Sequence, residues 1–228
     1  FGREGYPVRG LFSIPFAGLT EDGLPTFINQ DGQKTISSFN FQEYEKLDFL
    51  KYEGPTDPTI TGSFGNILTY KNLKLNVFVT YSFGNVIRLD PVFSNAYSDL
   101  DAMPKEFKNR WMKAGDENVT NIPTIVSTRM NQQYAYLNMA YNAYNYSDVR
   151  IADGGFIRLK EISLSYDLPA KVINFFRLNK LQLKLQATNL CLLYADSKLN
   201  GQDPEFFRSG GVSTPVPKQF TFTVRLGL

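Results

Sequence analysis

The 228-residue chain has no histidine, one cysteine (Cys191) and one tryptophan. Without histidine there is no imidazole acid–base centre, and a lone cysteine leaves neither a His/Cys metal site nor an internal disulfide within the chain. No His-based catalysis, His/Cys metal site or cofactor is therefore expected within the chain. No run of roughly eighteen apolar residues occurs, so no helix of this sequence would span a bilayer. Charge is sparing: 24 Lys+Arg against 22 Asp+Glu leave +2 with no block of one sign, which gives no electrostatic case for nucleic acid. The opening FGREGYPVRG lacks a methionine, a basic n-region and an apolar h-region, the expected start of a fragment or of the second part of a cleaved protein.

What the chain has in quantity is aromatic side chains, with 19 Phe and 13 Tyr. Phenylalanine-rich strands with tyrosine-rich loops suit a membrane β-barrel and equally a carbohydrate-binding β-sandwich, so periodicity has to arbitrate. The last ten residues alternate throughout. Phe220, Phe222, Val224, Leu226 and Leu228 share one face, and Gln219, Thr221, Thr223, Arg225 and Gly227 the other. Ten such residues are about the length of a tilted transmembrane strand, whereas strands of soluble proteins peak near five or six. Leu73–Phe83 repeats the pattern, with only Phe78 breaking its polar face. Leu181–Leu190 repeats it with Leu181, Leu183, Leu185 and Ala187 on one side.

Three further strands are expected at Val8–Leu19, Ser63–Tyr70 and Phe156–Asp167. In the last of these the apolar phase slips by one between Leu159 and Ile162, which predicts a β-bulge at Lys160–Glu161. Pro169 is placed to open one helical turn carrying Val172, Phe175 and Phe176. The connections 20–61, 84–155 and 191–218 are long, while 71–72 and 168–180 are short. In an antiparallel series this sorts every long connection to one end. Short periplasmic turns and long extracellular loops are the asymmetry of outer-membrane barrels, and a sandwich has no reason to show it. Lys184 and Arg225 fall on the polar faces. Six strands leave two open edges, which lipid does not tolerate, so further strands are expected elsewhere.

Within 84–155 the stretch Asn131–Ser147 is dense in tyrosine and asparagine. Tyr134, Tyr136, Tyr141, Tyr144 and Tyr146 are the candidate binding residues, because aromatic faces offer contact area to sugar rings or peptide side chains. The alternative is that they pack a long loop against its neighbours. Phe39, Phe41 and Tyr44 are expected in a short strand. Asp203-Pro204-Glu205 reads as turn chemistry in the last loop, in preference to a calcium or catalytic carboxylate pair, and Asp99 and Asp101 as a solvated turn. Asn118-Val119-Thr120 and Asn145-Tyr146-Ser147 match the glycosylation pattern by chance. Cys191 is expected as a small buried or lipid-facing residue, and Phe78 as an inward ring.

TGSFGNILTYKNLKLNVFVTYSFGN (61–85), NRW (109–111), DGGFIRLKEISLSYDLP (153–169), LQATNL (185–190), GQDPE (201–205) and the terminal FTFTVRLGL together resemble the C-terminal barrel of the SusC/RagA family of TonB-dependent outer-membrane transporters. The resemblance implies an all-β fold: the last six antiparallel strands of a 22-stranded transmembrane β-barrel, with the plug domain outside this chain. It implies import of glycans or oligopeptides and three kinds of protein partner: a SusD-like surface lipoprotein acting as a lid, the remainder of the barrel and plug, and TonB. The tyrosines would then be substrate-binding or lid-contacting. Leu228 departs from the aromatic residue on which such barrels commonly finish. A passive porin-like channel is the alternative in the same membrane, and a soluble surface glycan-binding β-sandwich the alternative outside it.

Overall fold

In a computed structural model, the structure describes residues 3–39, 44–98, 100, 102–175, 178–207 and 215–227, with the backbone alone at 44–46. In chain order the strands are β1 (Gly10–Ser13), β2 (Phe16–Leu19), β3 (Pro25–Ile28), β4 (Lys34–Thr35), β5 (Lys51–Pro55), β6 (Ile60–Tyr70), β7 (Leu73–Phe83), β8 (Val86–Arg88), β9 (Ile151–Asp153), β10 (Phe156–Asp167), β11 (Lys180–Ala195) and β12 (Gln219–Gly227). The helices are α1 (Thr128–Gln133), α2 (Leu137–Asn145) and α3 (Ala170–Phe175), with short 3-10 turns between elements. The chain divides into two compact units. One comprises residues 1–56 and 86–152, the other 57–85 and 153–228.

The second unit is one antiparallel sheet in the order β12-β11-β10-β7-β6. Its register places Leu68, Leu75, Leu164, Leu185 and Phe222 in one row across all five strands. The neighbouring paired positions on that face are filled in the same way, by Phe64, Val77, Val79, Ile162, Leu183 and Val224, with the amide of Asn66 as an interruption. No paired position on this face carries a charge among the described residues. The other face holds Thr61, Lys74, Asn76, Thr80, Glu161, Ser163, Lys184, Gln186, Thr221 and Arg225. Eleven residues of β7 span about 35 Å at ~3.4 Å each, or about 25 Å when tilted by about 45°, the height of the apolar band of a membrane barrel. Aromatic rings flank that band on the same face. Tyr70 and Tyr166 lie at the turn end; Tyr81, Phe83 and Tyr194 lie at the other, with Phe83 6.2 Å from Tyr194.

The bulge occurs where the phase slip predicts it, with register shifting between Leu159 and Glu161 against both neighbours. Opposite it β11 also carries extra residues, including Asn189 in the left-handed region at φ 53. The turn at Lys71-Asn72 joins β6 to β7, and α3 begins after Pro169 as expected; Phe175 in it is exposed. Phe176 and Leu228 lie outside the described residues.

One expectation fails. Val8–Leu19 is not a strand of this sheet. Its two short strands belong to the first unit, where β1 pairs with β5 and β2 with β3. Pro15, between them, has no N–H to give to a ladder, so the segment breaks and changes partners. The sheet therefore has five strands, not six. The segments 20–61 and 84–155 are also more ordered than loops. Between them they supply β3, β4, β5, β8, β9 and two helices. Of the short strand expected at Phe39, Phe41 and Tyr44, Phe41 lies outside the described residues, Phe39 is in no strand, and Tyr44 begins a 3-10 turn.

The first unit has a conventional interior. Leu24, Phe27, Phe93, Leu137, Ala140, Tyr141 and Tyr144 are buried together. Helix α2 joins this core because Leu137, Ala140, Tyr141 and Tyr144 recur at three- and four-residue spacing, which sets them on one helical stripe. Ser127 caps α1, its side chain accepting from the amide of Met130. Trp111, of the NRW block, lies flat on Gly23, where φ is +76° and a Cβ would stand 2.4 Å from the indole. Only glycine suits that position.

Candidate functional site

The sheet is the first candidate surface, and its two faces differ in chemistry. Phe220 is 76% exposed, Phe64 64% and Leu226 63%. No second sheet lies over these residues within their unit among the described residues. The opposite face carries an ordered polar network. Asn76 donates to Glu161 at 3.3 Å, Lys184 approaches the same carboxylate at 4.0 Å, and Gln182 donates to Asp167 at 2.9 Å. Phe78, the large ring on this face, covers Gly65 on β6. Cys191 pairs with Leu159 on the apolar face and is exposed there.

Arg158 organises the polar face near its far end. It is buried, donates to Asp203 Oδ1 and Oδ2 at 2.6 and 2.7 Å, and reaches Glu205 at 3.1 Å. Asp203 also accepts from the amide of Glu205 at 3.1 Å. The Asp203-Pro204-Glu205 stretch is thus a turn, as expected, and in addition the counter-charge for an arginine 45 positions away. Asp153 and Asp196 join the same region. Asp196 accepts from the amide of Asp153 at 2.8 Å, and Tyr194 donates to Asp153 at 3.2 Å. Nothing local to Arg158 marked it in the sequence, because its partner lies on a distant loop. Asp99 and Asp101 lie outside the described residues.

The five tyrosines separate into three groups: two buried, one half-buried and two exposed. Tyr141 and Tyr144 are 1% and 2% exposed and belong to the core of the first unit, so their rings are not available to a ligand or a lid. This corrects their assignment as binding residues: the helical spacing that buries them beside Leu137 overrides the loop reading. Tyr141 donates to the carbonyl of Thr124 at 2.5 Å, and burial pushes its hydroxyl well above the usual tyrosine range. Burial raises Tyr144 in the same way, opposed by Arg150. Tyr134 donates to Asp22 at 2.9 Å, a bond that raises its pKa.

The remaining two tyrosines are presented. Tyr136 is exposed at the N-cap of α2 in the left-handed region, φ 62 and ψ 32. Tyr146 is exposed beyond its C-terminal end, with the Arg88 guanidinium 4.9 Å from its ring centre. Asn145 is buried, its amide donating to Phe93 O at 2.7 Å and its oxygen accepting from Phe93 N at 3.1 Å, so it holds backbone and accepts no glycan. Asn118 donates to Gly115 at 3.3 Å in an exposed turn. Among the described residues no group of three acidic or cysteine side chains is arranged to hold a metal ion.

No protein-family model matches the chain. The TonB-dependent receptor P3 of Formosa agariphila is 25% identical over 209 residues, which cover 88% of this chain and 18% of that protein. Among solved structures, the RagAB peptide transporter matches with a TM-score of 0.65 at 21% identity, over 95% of this chain and 22% of that one. The RagAB peptide importer matches at 0.64 in its open-open state and at 0.62 in its closed-closed state. The chain thus spans about a fifth of the length of the proteins it matches. In sequence and in fold, it is similar to TonB-dependent transporters of the SusC/RagA type.

Proposed function

We propose that the chain is part of a TonB-dependent outer-membrane active transporter that imports glycans or oligopeptides together with a SusD-like surface lipoprotein. The observation that carries this reading is the five-stranded antiparallel sheet, uncharged and exposed on one face, hydrogen-bonded and polar on the other. On this reading the apolar face meets outer-membrane lipid and the polar face a lumen. Both sheet edges require further strands, since unpaired backbone in hydrocarbon costs several kcal/mol per group. A barrel of 22 strands with a separate plug, contacted by TonB on the periplasmic side, meets that requirement. The register supports extracellular placement of the long connections, because β6, β7, β10, β11 and β12 all receive or release them at one end. The relatives' names support transport: one is a TonB-dependent receptor, the other a peptide transporter.

The test uses the whole protein in its own membrane. Energised uptake of a glycan or oligopeptide should disappear on deletion of either the full-length gene or TonB. Uptake that persists without TonB would identify a passive porin-like channel instead. Recovery of the full-length protein in the soluble fraction would sink both membrane readings.

A further inference from the structure

We infer that a cleft in the first unit seats an apolar side chain of a peptide, an inference that rests on the transporter reading and narrows its cargo. The cleft measures about 310 Å3, at the low end of the roughly 300–1,000 Å3 typical of small-ligand sites. Phe12, Ile14, Phe39 and Leu50 line one side, and Met139 and Tyr146 of the α2 segment the other. Among the described residues no charged side chain lines it, and the stretch 131–147 that forms one wall contains no charged residue. Arg88 and Glu53 stand behind the lining, bonded to Phe12 and Ser13, so the surface presented to a ligand is apolar.

The walls are held apart and in place. Arg88 donates to the carbonyl of Phe12 while its guanidinium stacks 4.9 Å from the Tyr146 ring, so one side chain ties the two sides together. The amide of Ile14 donates to the carbonyl of Tyr146 at 3.1 Å, a second tie. Such prior fixing lowers the ordering cost of binding. Polar capacity inside is small. The Ser13 hydroxyl is committed to Glu53 at 2.6 Å. The Asn142 amide, on the exposed side of α2, has no hydrogen-bond partner among the described residues.

That inventory selects between the two cargo classes. A sugar ring brings several hydroxyls, each of which costs free energy if buried without a partner. A peptide brings an apolar side chain for the phenylalanine, leucine and methionine walls and a backbone amide for Asn142, which has both donor and acceptor. The volume admits one side chain rather than a protein surface.

Calorimetric titration of the purified full-length complex tests this with three probes: an alanine hexapeptide carrying one leucine, the same peptide carrying serine, and maltohexaose. The leucine peptide should bind about tenfold tighter than the serine peptide, in line with the burial of a leucine side chain. Met139→Lys should remove that preference, and Asn142→Ala should weaken both peptides severalfold, which covers the case in which the lysine variant fails to fold. Equal binding of the two peptides, no peptide binding, or a leucine preference untouched by both variants would overturn the inference. So would maltohexaose binding that both variants abolish. The transporter reading fails separately, by the absence of TonB-dependent uptake of any solute.

Discussion

Phe27 and Phe220 are the same residue type in opposite surroundings. Phe27 is wholly enclosed with Leu24, Tyr144 and other apolar side chains, and Phe220 stands 76% exposed in a row of leucines and phenylalanines. The first unit satisfies the hydrophobic effect internally: its helix and short strands turn their apolar sides on one another. Among the described residues the sheet unit has nothing of its own that buries Phe64, Leu68, Leu185, Phe222 and Leu226. Each such side chain forgoes roughly 1.5–3 kcal/mol while it faces water. The two regions differ in whether their apolar side chains are covered from within. That contrast supports the proposed reading of the sheet as membrane wall more directly than composition does.

The largest test of the contrast is in the enclosed unit. Phe27→Ala should cost about 3–5 kcal/mol, the range for removing a buried ring. Hydrogen exchange on the full-length protein should show faster opening of α2 and β3 while the amides of β7 and β10 keep their protection. Simultaneous loss of sheet protection would show that the two regions do not unfold separately. Next in size, Val77→Lys, near the middle of β7 on the apolar face, should destabilise the protein in lipid by about 2–4 kcal/mol. Thr80→Lys, on the polar face of the same strand, should cost far less. Equal costs measured by folding into vesicles would remove the distinction between the faces.

The smallest expected effect is a pH dependence. Tyr141 has its pKa raised in the folded state above the ordinary value of 10.0, chiefly by burial. The folded protein therefore holds that proton more tightly than the unfolded chain does. Its contribution is intact below pH 10 and is lost as pH rises beyond it. Tyr141→Phe should be less stable by about 0.5–1.5 kcal/mol at pH 7, for want of the bond to Thr124. The deficit should shrink above pH 10, followed by protection of α2. A deficit that stays constant to pH 11 would show that the hydroxyl is not the titrating group.

The sheet was legible where side chains alternate strictly, as in β7 and β12, because period two needs no knowledge of the rest of the chain. It was less legible in β6, where Gly62 thins the apolar face and Ile67 falls on the polar one, and the strand begins three residues earlier than the pattern suggested. In β11 the irregular stretch around Asn189 ends the alternation, and the strand nevertheless runs on to Ala195. Helix α2 carried a visible signal in Leu137, Ala140, Tyr141 and Tyr144, at helical rather than strand spacing. The density of tyrosine drew attention to ligand contact and away from that periodicity, so two core residues were assigned to a site. The cleft was not legible at all. It is assembled from Phe12, Phe39, Leu50 and Met139, whose proximity is fixed only by tertiary packing.

The bulge at Lys160 allows the guanidinium of Arg158 to meet Asp203 while Ile162 and Leu164, farther along β10, still point to the other side. A regular strand run straight through Lys160 would turn over one side of it, carrying either Arg158 onto the apolar face or Ile162 and Leu164 onto the polar one. Leu159, Glu161 and Ile162 instead meet Val79, Phe78 and Val77 in unbroken order, so the ladder steps around Lys160. Removal of that supernumerary residue would leave every other side chain of β10 on its own face, whereas a second insertion would have no such detour.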